Sequence, residues 1–332
     1  DVCEGLNSEF NNFSTISIGN ITSYTWDFGD GSTSSADSPI HTYGTYGAFN
    51  VTLTATSNFG CSSSVTAPVN IHPGPQVSYT ASNVCEGFPV NFTDNSTISS
   101  GSIQSVYWSF GDGSSSPAMN PTHLYNGSGV FQSSLVVTSD MGCVDTASID
   151  VTVHPEPIAD FTSSPVCLGS PSQFTDASTI ASGSITAWNW SFGDAITSNQ
   201  QNPVHTYNTP GSFTTLLIVT SDQGCSDTVS ATSNVNPVPV ADFVKTDVCA
   251  GDAASFTDYS SIAGGGSLTS TWDFGDGTTA SGSNVQHVFT NPGIYTVTMT
   301  VTSQDGCTDV VSKNVTIYAP PAANFTAQNA CD

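Results

Sequence analysis

An all-β fold, built as a tandem array of sandwich repeats, is predicted by three observations in this sequence. The first is a ruler. Trp26, Trp108, Trp190 and Trp272 stand 82 residues apart, and the sets Asp30, Asp112, Asp194, Asp276 and His41, His123, His205, His287 keep the same step. Four copies account for 328 residues (4 × 82), and the last four, from Asn329, restart the pattern of Asp1 to Glu4. No insertion or deletion interrupts a copy. Loops ordinarily tolerate length changes, so loop and linker geometry is constrained along the array. The second observation is apolar alternation at the two-residue period of a half-buried strand. The third is composition: Thr, Ser, Val and Gly dominate, with 10% aromatic and only 9% charged residues, which suits a folded β-protein and not a disordered tail.

Residues 76–153 show the elements in order. Val90-Asn-Phe92, Val106-Tyr-Trp-Ser-Phe110 and Val130-Phe-Gln-Ser-Ser-Leu-Val-Val137 read as strands, separated by Gly-Asp-Gly, Asn-Gly-Ser-Gly and Asp-Met-Gly turn clusters. The spacing is that of a sandwich, and no helical periodicity of useful length occurs. Linkers fall at His72-Pro-Gly-Pro75, His154-Pro-Glu-Pro157, Asn236-Pro-Val-Pro239 and Tyr318-Ala-Pro-Pro321. Prolines this dense make short, stiff junctions and predict a rod. The repeats are bounded at 1–72, 73–154, 155–236 and 237–318, with 319–332 left as the first strand of a further repeat or a donor strand for a neighbour. Tyr79, Phe161, Phe243 and Phe325 open that first strand at the 82-residue step; repeat one has no such strand, and Phe325 is a spare.

Charge excludes one class of partner. Two Lys and no Arg against 27 Asp and Glu give a net charge of −25, a surface that repels phosphate, so nucleic acid is not expected. No apolar run is long enough for a membrane-spanning helix. The chain opens inside a repeat, which reads as mature material or a segment of something longer.

The motif Trp26-Asp-Phe-Gly-Asp-Gly31 recurs from Trp108 and Trp272, followed by Pro-x-His-x-Tyr and Gly-x-Phe/Tyr-x-Val. These residues resemble the PKD domain, an Ig-like β-sandwich of extracellular proteins, and the resemblance covers essentially the whole chain. The cysteine-bearing form, Val-Cys-x-Gly and later Gly-Cys, is similar to repeats in large secreted or surface proteins of gliding bacteria. Ala195 replaces the second motif glycine in repeat three, and repeat four has Val285 and Phe289 where others have Pro and Tyr. If that glycine position needs a positive φ, Ala195 costs on the order of 1 kcal/mol. The resemblance implies an extracellular location and raises calcium as a cofactor near the junctions. Its candidate ligands are Asp94, Asp176 and Asp258 (Asn12 in repeat one) with Asp145, Asp227 and Asp309 (Ser63 in repeat one), although no EF-hand spacing is present.

Chemistry is poorly supported otherwise. Trp and Phe at i and i+2 point to the same side of a strand, toward a core, and the Asp and Gly after them form a turn. Each recurring histidine reads as a hydrogen-bonded strand residue, since copies in separate domains cannot share one metal. No Ser–His–Asp grouping, paired catalytic carboxylates, zinc spacing or phosphate loop stands out within a repeat, so no enzyme is expected.

Cysteines at 3, 61, 85, 143, 167, 225, 249, 307 and 331 alternate gaps of 58 and 24, which reads as a disulfide framework. Pairing within repeats gives Cys3–Cys61, Cys85–Cys143, Cys167–Cys225 and Cys249–Cys307, with Cys331 left over. The strand order implied by the resemblance puts a repeat's first and last hairpins at opposite ends. It thereby suggests Cys3–Cys143, Cys85–Cys225 and Cys167–Cys307 between neighbouring repeats, and both schemes stay open. The expected function is a structural or adhesive element of a surface fibre, stalk or filament, with other copies or further repeats as head-to-tail partners through Phe325. The alternative is a spacer module of a larger secreted enzyme or adhesin that binds a surface carbohydrate or protein, and a cut from a longer array would explain the ends equally.

Overall fold

In the computed structural model, which describes residues 2–327, every regular element is a strand. The chain divides into two compact units, Asp1–Glu156 with repeats one and two, and Pro157–Asp332 with repeats three and four. Repeat two serves as the pattern. Its larger sheet runs, edge to edge, Ser115–Ser116, Ile103–Ser109, Gly129–Ser139, Val144–His154 and Val84–Cys85; the smaller runs Thr122–His123, Val90–Asp94 and Tyr79–Ala81. The long hairpin Gly129–Ser139/Val144–His154 is antiparallel in unbroken register. Val84–Cys85 instead pairs parallel with the far end of Val144–His154, Cys85 beside His154.

Alternation packs the sandwich. Trp108, Leu135, Val137 and Val151 from the large sheet meet Val90, Phe92 and Tyr79 from the small one, all buried. Tyr79 stands edge-on to Trp108, with ring centroids 4.9 Å apart, and Phe161 and Phe243 meet Trp190 and Trp272 in the same way at 5.1 Å. Such tilted aromatic pairs are favoured by about 0.5–1.5 kcal/mol beyond the area they bury.

Repeat one departs from this pattern in its small sheet, which has only Asn7–Glu9 and Ile40–Thr42. Among the described residues no strand lies along Phe10–Asn12, where repeats two, three and four place Tyr79–Ala81, Phe161–Ser163 and Phe243–Lys245.

Candidate functional site

The turn that follows the repeated tryptophan holds the densest polar cluster. In repeat one, Asp30 Oδ1 accepts the Ser32 amide (3.0 Å) and the Ser32 hydroxyl (2.6 Å), while Asp30 Oδ2 lies 2.7 Å from His41 Nε2. The imidazole stacks on Phe28 at 4.1 Å, and the buried Tyr43 hydroxyl donates to the Phe28 carbonyl. Burial, the largest single influence, pushes the Asp30 carboxyl up. Hydrogen bonds from Ser32 and His41 outweigh it and hold the group at about 2, and Asp112 in repeat two is held at about 2 in the same way. Burial pushes the Tyr43 and Tyr125 phenols up to about 12, with the charge of Asp30 and Asp112 adding to it.

Sequence reading missed this grouping of Ser, His and Asp because the turn folds them together across 11 residues. Its geometry is not that of a nucleophilic triad. Ser32 Oγ, at 3.2 Å, and Asp30 Oδ2 both face the same nitrogen, Nε2, so the ring cannot relay a proton between its two nitrogens. The equivalent of Ser32 is Ser114 in repeat two, Ile196 in repeat three and Thr278 in repeat four, yet all four histidines keep their aspartates within 2.6–2.7 Å. A hydroxyl that a repeat can lack while keeping the pair serves the turn, not catalysis.

The calcium candidates are already engaged. Asp227 Oδ2 and Asp309 Oδ2 each accept a backbone amide, from Ala159 and Ala241, at 2.8 Å, and Asp145 Oδ2 lies 3.4 Å from the Val77 amide. Asp94, Asp176 and Asp258 accept the amides of Ser96, Ser178 and Ser260; Asp176 also takes Trp188 Nε1–H, and Asp258 the Ser270 hydroxyl. Among the described residues no three His, Cys, Asp or Glu side chains converge on a point, so these residues do not fit a carboxylate-rich calcium cage.

The cysteines pair between repeats. Cys3 bonds Cys143, with Cα atoms 5.7 Å apart, and Cys167 bonds Cys307, at 5.6 Å; each step is 140 residues. Cys85 and Cys225 are also disulfide-bonded. Pairing within a repeat fails on distance. Cys85 sits beside His154 while Cys143 immediately precedes Val144 at the other end of an 11-residue strand, a span of roughly 36 Å against the ~7 Å limit for bridged Cα atoms. Cys61 and Cys249, counted among the framework's disulfide cysteines, are instead free thiols, as pairing between neighbouring repeats leaves them. Cys331 lies outside the described residues. Phe325 belongs to no strand and is 87% exposed.

Repeat one carries two openings. Where its small sheet lacks a strand, a groove of about 540 Å³ is lined by Phe10, Phe13, Trp26, Leu53, Val65 and Val69 among others, and Phe13 is 87% exposed. A second opening, about 200 Å³, brings together Ser57 and Cys61. In the other repeats the corresponding cysteine is buried and its amide donates to a serine hydroxyl, Ser139, Ser221 or Ser303. Cys61 is exposed instead, and the Ser57 hydroxyl is buried without a partner.

The PKD domain profile matches residues 1–73, 70–153, 154–236 and 234–318. This chain belongs to the PKD domain family. A pre-pro-metalloprotease, PrtV, of Vibrio cholerae is 33% identical over 149 residues, 45% of this chain and 16% of that protein. A microbial collagenase of Vibrio alginolyticus is 44% identical over 61 residues, 18% of this chain and 8% of that protein. The chain thus spans about a sixth or less of these relatives' length. Among solved structures, the PKD1 domain of V. cholerae PrtV is 32% identical, with 24% of this chain and 96% of that one covered and a TM-score of 0.23. The PKD repeats here form tandem Ig-like sandwiches, and among the described residues no helix is long and apolar enough to cross a membrane.

Proposed function

We propose that this PKD array is a non-catalytic extracellular structural element that builds a surface fibre or stalk, joining head to tail by strand donation. The single observation that supports this best is the disulfide between neighbouring repeats. Staples that each span 140 residues tie repeat one to repeat two and repeat three to repeat four and restrict their independent motion, which an array that bears load along its length needs and a flexible tether does not. They also account for the invariant 82-residue period, because a length change at a junction would part the two cysteines. The turn chemistry agrees, since the polar groups of each repeat are used to hold hairpins.

A second reading has its own support: the stretches this chain resembles make up a sixth or less of a metalloprotease and a collagenase, so the array could be a spacer that presents a carbohydrate- or protein-binding surface in a larger enzyme or adhesin. Electron microscopy of the purified chain separates the two. Fibres are expected from the intact chain and not from one ending at Pro321. Identical fibres from the shortened chain would remove strand donation, and the absence of fibres from either would favour the spacer.

A further inference from the structure

We infer that the staples Cys3–Cys143 and Cys167–Cys307 shunt tension past the repeats they join, so that a pull along the chain runs through the last strands of repeats two and four and leaves the rest of each sandwich unloaded. This rests on the load-bearing reading above and gives the route that the load takes.

The route follows from where the two ends of a staple sit. Cys3 pairs beside His72, at the end of the last strand of repeat one, and the Glu4 amide donates to the His72 carbonyl at 2.9 Å. Load therefore enters the staple at the place where the chain leaves repeat one. The partner, Cys143, directly precedes Val144, the first residue of the last strand of repeat two. Unit two has the same arrangement: Cys167 pairs beside Asn236, the Leu168 amide donates to the Asn236 carbonyl at 2.9 Å, and Cys307 directly precedes Thr308. Force arriving at Cys3 crosses one bond to Cys143 and leaves along Val144–His154. The chain between the two cysteines is then a closed loop that carries no tension.

What remains in the path is already taut. Val144–His154 and Thr308–Tyr318 are strands of 11 residues, and at about 3.4 Å per residue, against the ~3.6 Å of a fully stretched chain, pulling either one straight adds only about 2 Å. A repeat outside such a loop is different, since its 82 residues stretch to roughly 270–300 Å. The loaded strands are also held at both ends. At the entry the Ser139 hydroxyl accepts the Cys143 amide at 3.0 Å, and the Ser303 hydroxyl accepts the Cys307 amide at 3.1 Å. At the exit Val84–Cys85 clamps Val153–His154 in parallel register, and Val248–Cys249 clamps Ile317–Tyr318.

The test is single-molecule force spectroscopy on the full chain, held by tags at its two termini, first oxidised and then reduced with dithiothreitol. The oxidised chain should lengthen without any step of a repeat's size. The reduced chain should unfold in steps of roughly 230–260 Å, the stretched length of 82 residues less the ~36 Å that the folded last strand already spans. Cys3→Ser combined with Cys143→Ser, its folding checked by circular dichroism, should restore the step of repeat one in the oxidised chain. The reductant reads the same bond in the unaltered sequence, so it decides even where the variant fails to fold. Repeat-sized steps in the oxidised chain, or a reduced chain that lengthens no further than the oxidised one, would overturn the shunt. Either result alongside fibres in the electron microscope leaves the fibre reading standing, whereas the expected traces without fibres support the shunt and remove the fibre.

Discussion

Replacing Ala195 by Gly should stabilise repeat three, because this alanine holds a backbone conformation its neighbours give to glycine. Its φ is +71°, and the equivalent Gly31, Gly113 and Gly277 lie at +93°, +93° and +91°. A left-handed residue with a Cβ is strained by roughly 1–2 kcal/mol, and glycine returns about 0.4–1 kcal/mol of that through its freer unfolded chain. The net gain is about 1 kcal/mol. Gly113→Ala makes the converse change cleanly, since a Cβ there meets nothing within 4 Å, and should lose about the same amount. Gly111→Ala is the contrast: its Cβ would stand 2.5 Å from the Gln132 carbonyl oxygen, backbone that cannot swing aside, so overpacking adds to strain and the loss should reach about 3 kcal/mol. Thermal unfolding by circular dichroism reads the difference, at roughly 4–8 °C per kcal/mol if a repeat melts alone and 2–4 °C if a stapled pair melts together. Hydrogen exchange at the Trp190 strand assigns it to repeat three. A neutral or destabilising Ala195→Gly would refute the strain argument, and equal losses for Gly111→Ala and Gly113→Ala would refute the packing half of it.

Acid should weaken repeats one and two. Asp30 and Asp112 sit at about 2 when folded against an ordinary 3.8, so their stabilisation is complete above pH 4 and is lost as pH falls from about 4 to 2. Partial exposure screens each to about 1 kcal/mol. Melting temperatures across that window should fall, and Asp112→Asn should flatten the fall. In alkali the sign reverses: Tyr43 and Tyr125, raised to about 12, stabilise below pH 10 and cease to as pH rises through 12, which ultraviolet titration of the phenols would follow. Because no three His, Cys, Asp or Glu side chains converge among the described residues, chelation should leave the melting curve unchanged; a fall on adding chelator, restored by calcium, would assign the ion a structural role. Reduction of the staples should lower stability by about 2–5 kcal/mol per 140-residue loop, seen as a denaturant midpoint that drops with a reductant; an unmoved midpoint would deny them a structural part.

What the sequence made legible was whatever obeys a period. The sandwich followed from two-residue alternation, and Trp108 and Phe92 are core because a strand has only two faces and one must be dry. Pairings that depend on which strand ends lie together had no such signal. The parallel clamp of Val84–Cys85 on Val153–His154 is two residues long, too short for any pattern, yet it alone carries Cys85 to the opposite end from Cys143 and rules out the bond within a repeat. The Asp30–His41 pair escaped for a related reason: Asp30 lies in the turn after Ile21–Asp27 and His41 on the strand Ile40–Thr42, and only the path of the chain between them brings His41 over Phe28. The missing first strand of repeat one was readable as a missing aromatic, but the consequences at Cys61 were not. Ser57 and Cys61 have the same spacing as Ser139 and Cys143 and the same backbone hydrogen bonds across the turn, yet the residues between them differ, Asn58-Phe59 against Asp140-Met141, and only the Ser139 hydroxyl is met by its cysteine's amide. Cys143 is buried and bonded to Cys3, 140 positions away, while Cys61 is an exposed thiol, and a spacing inside one hairpin carries no signal of a partner so distant in sequence.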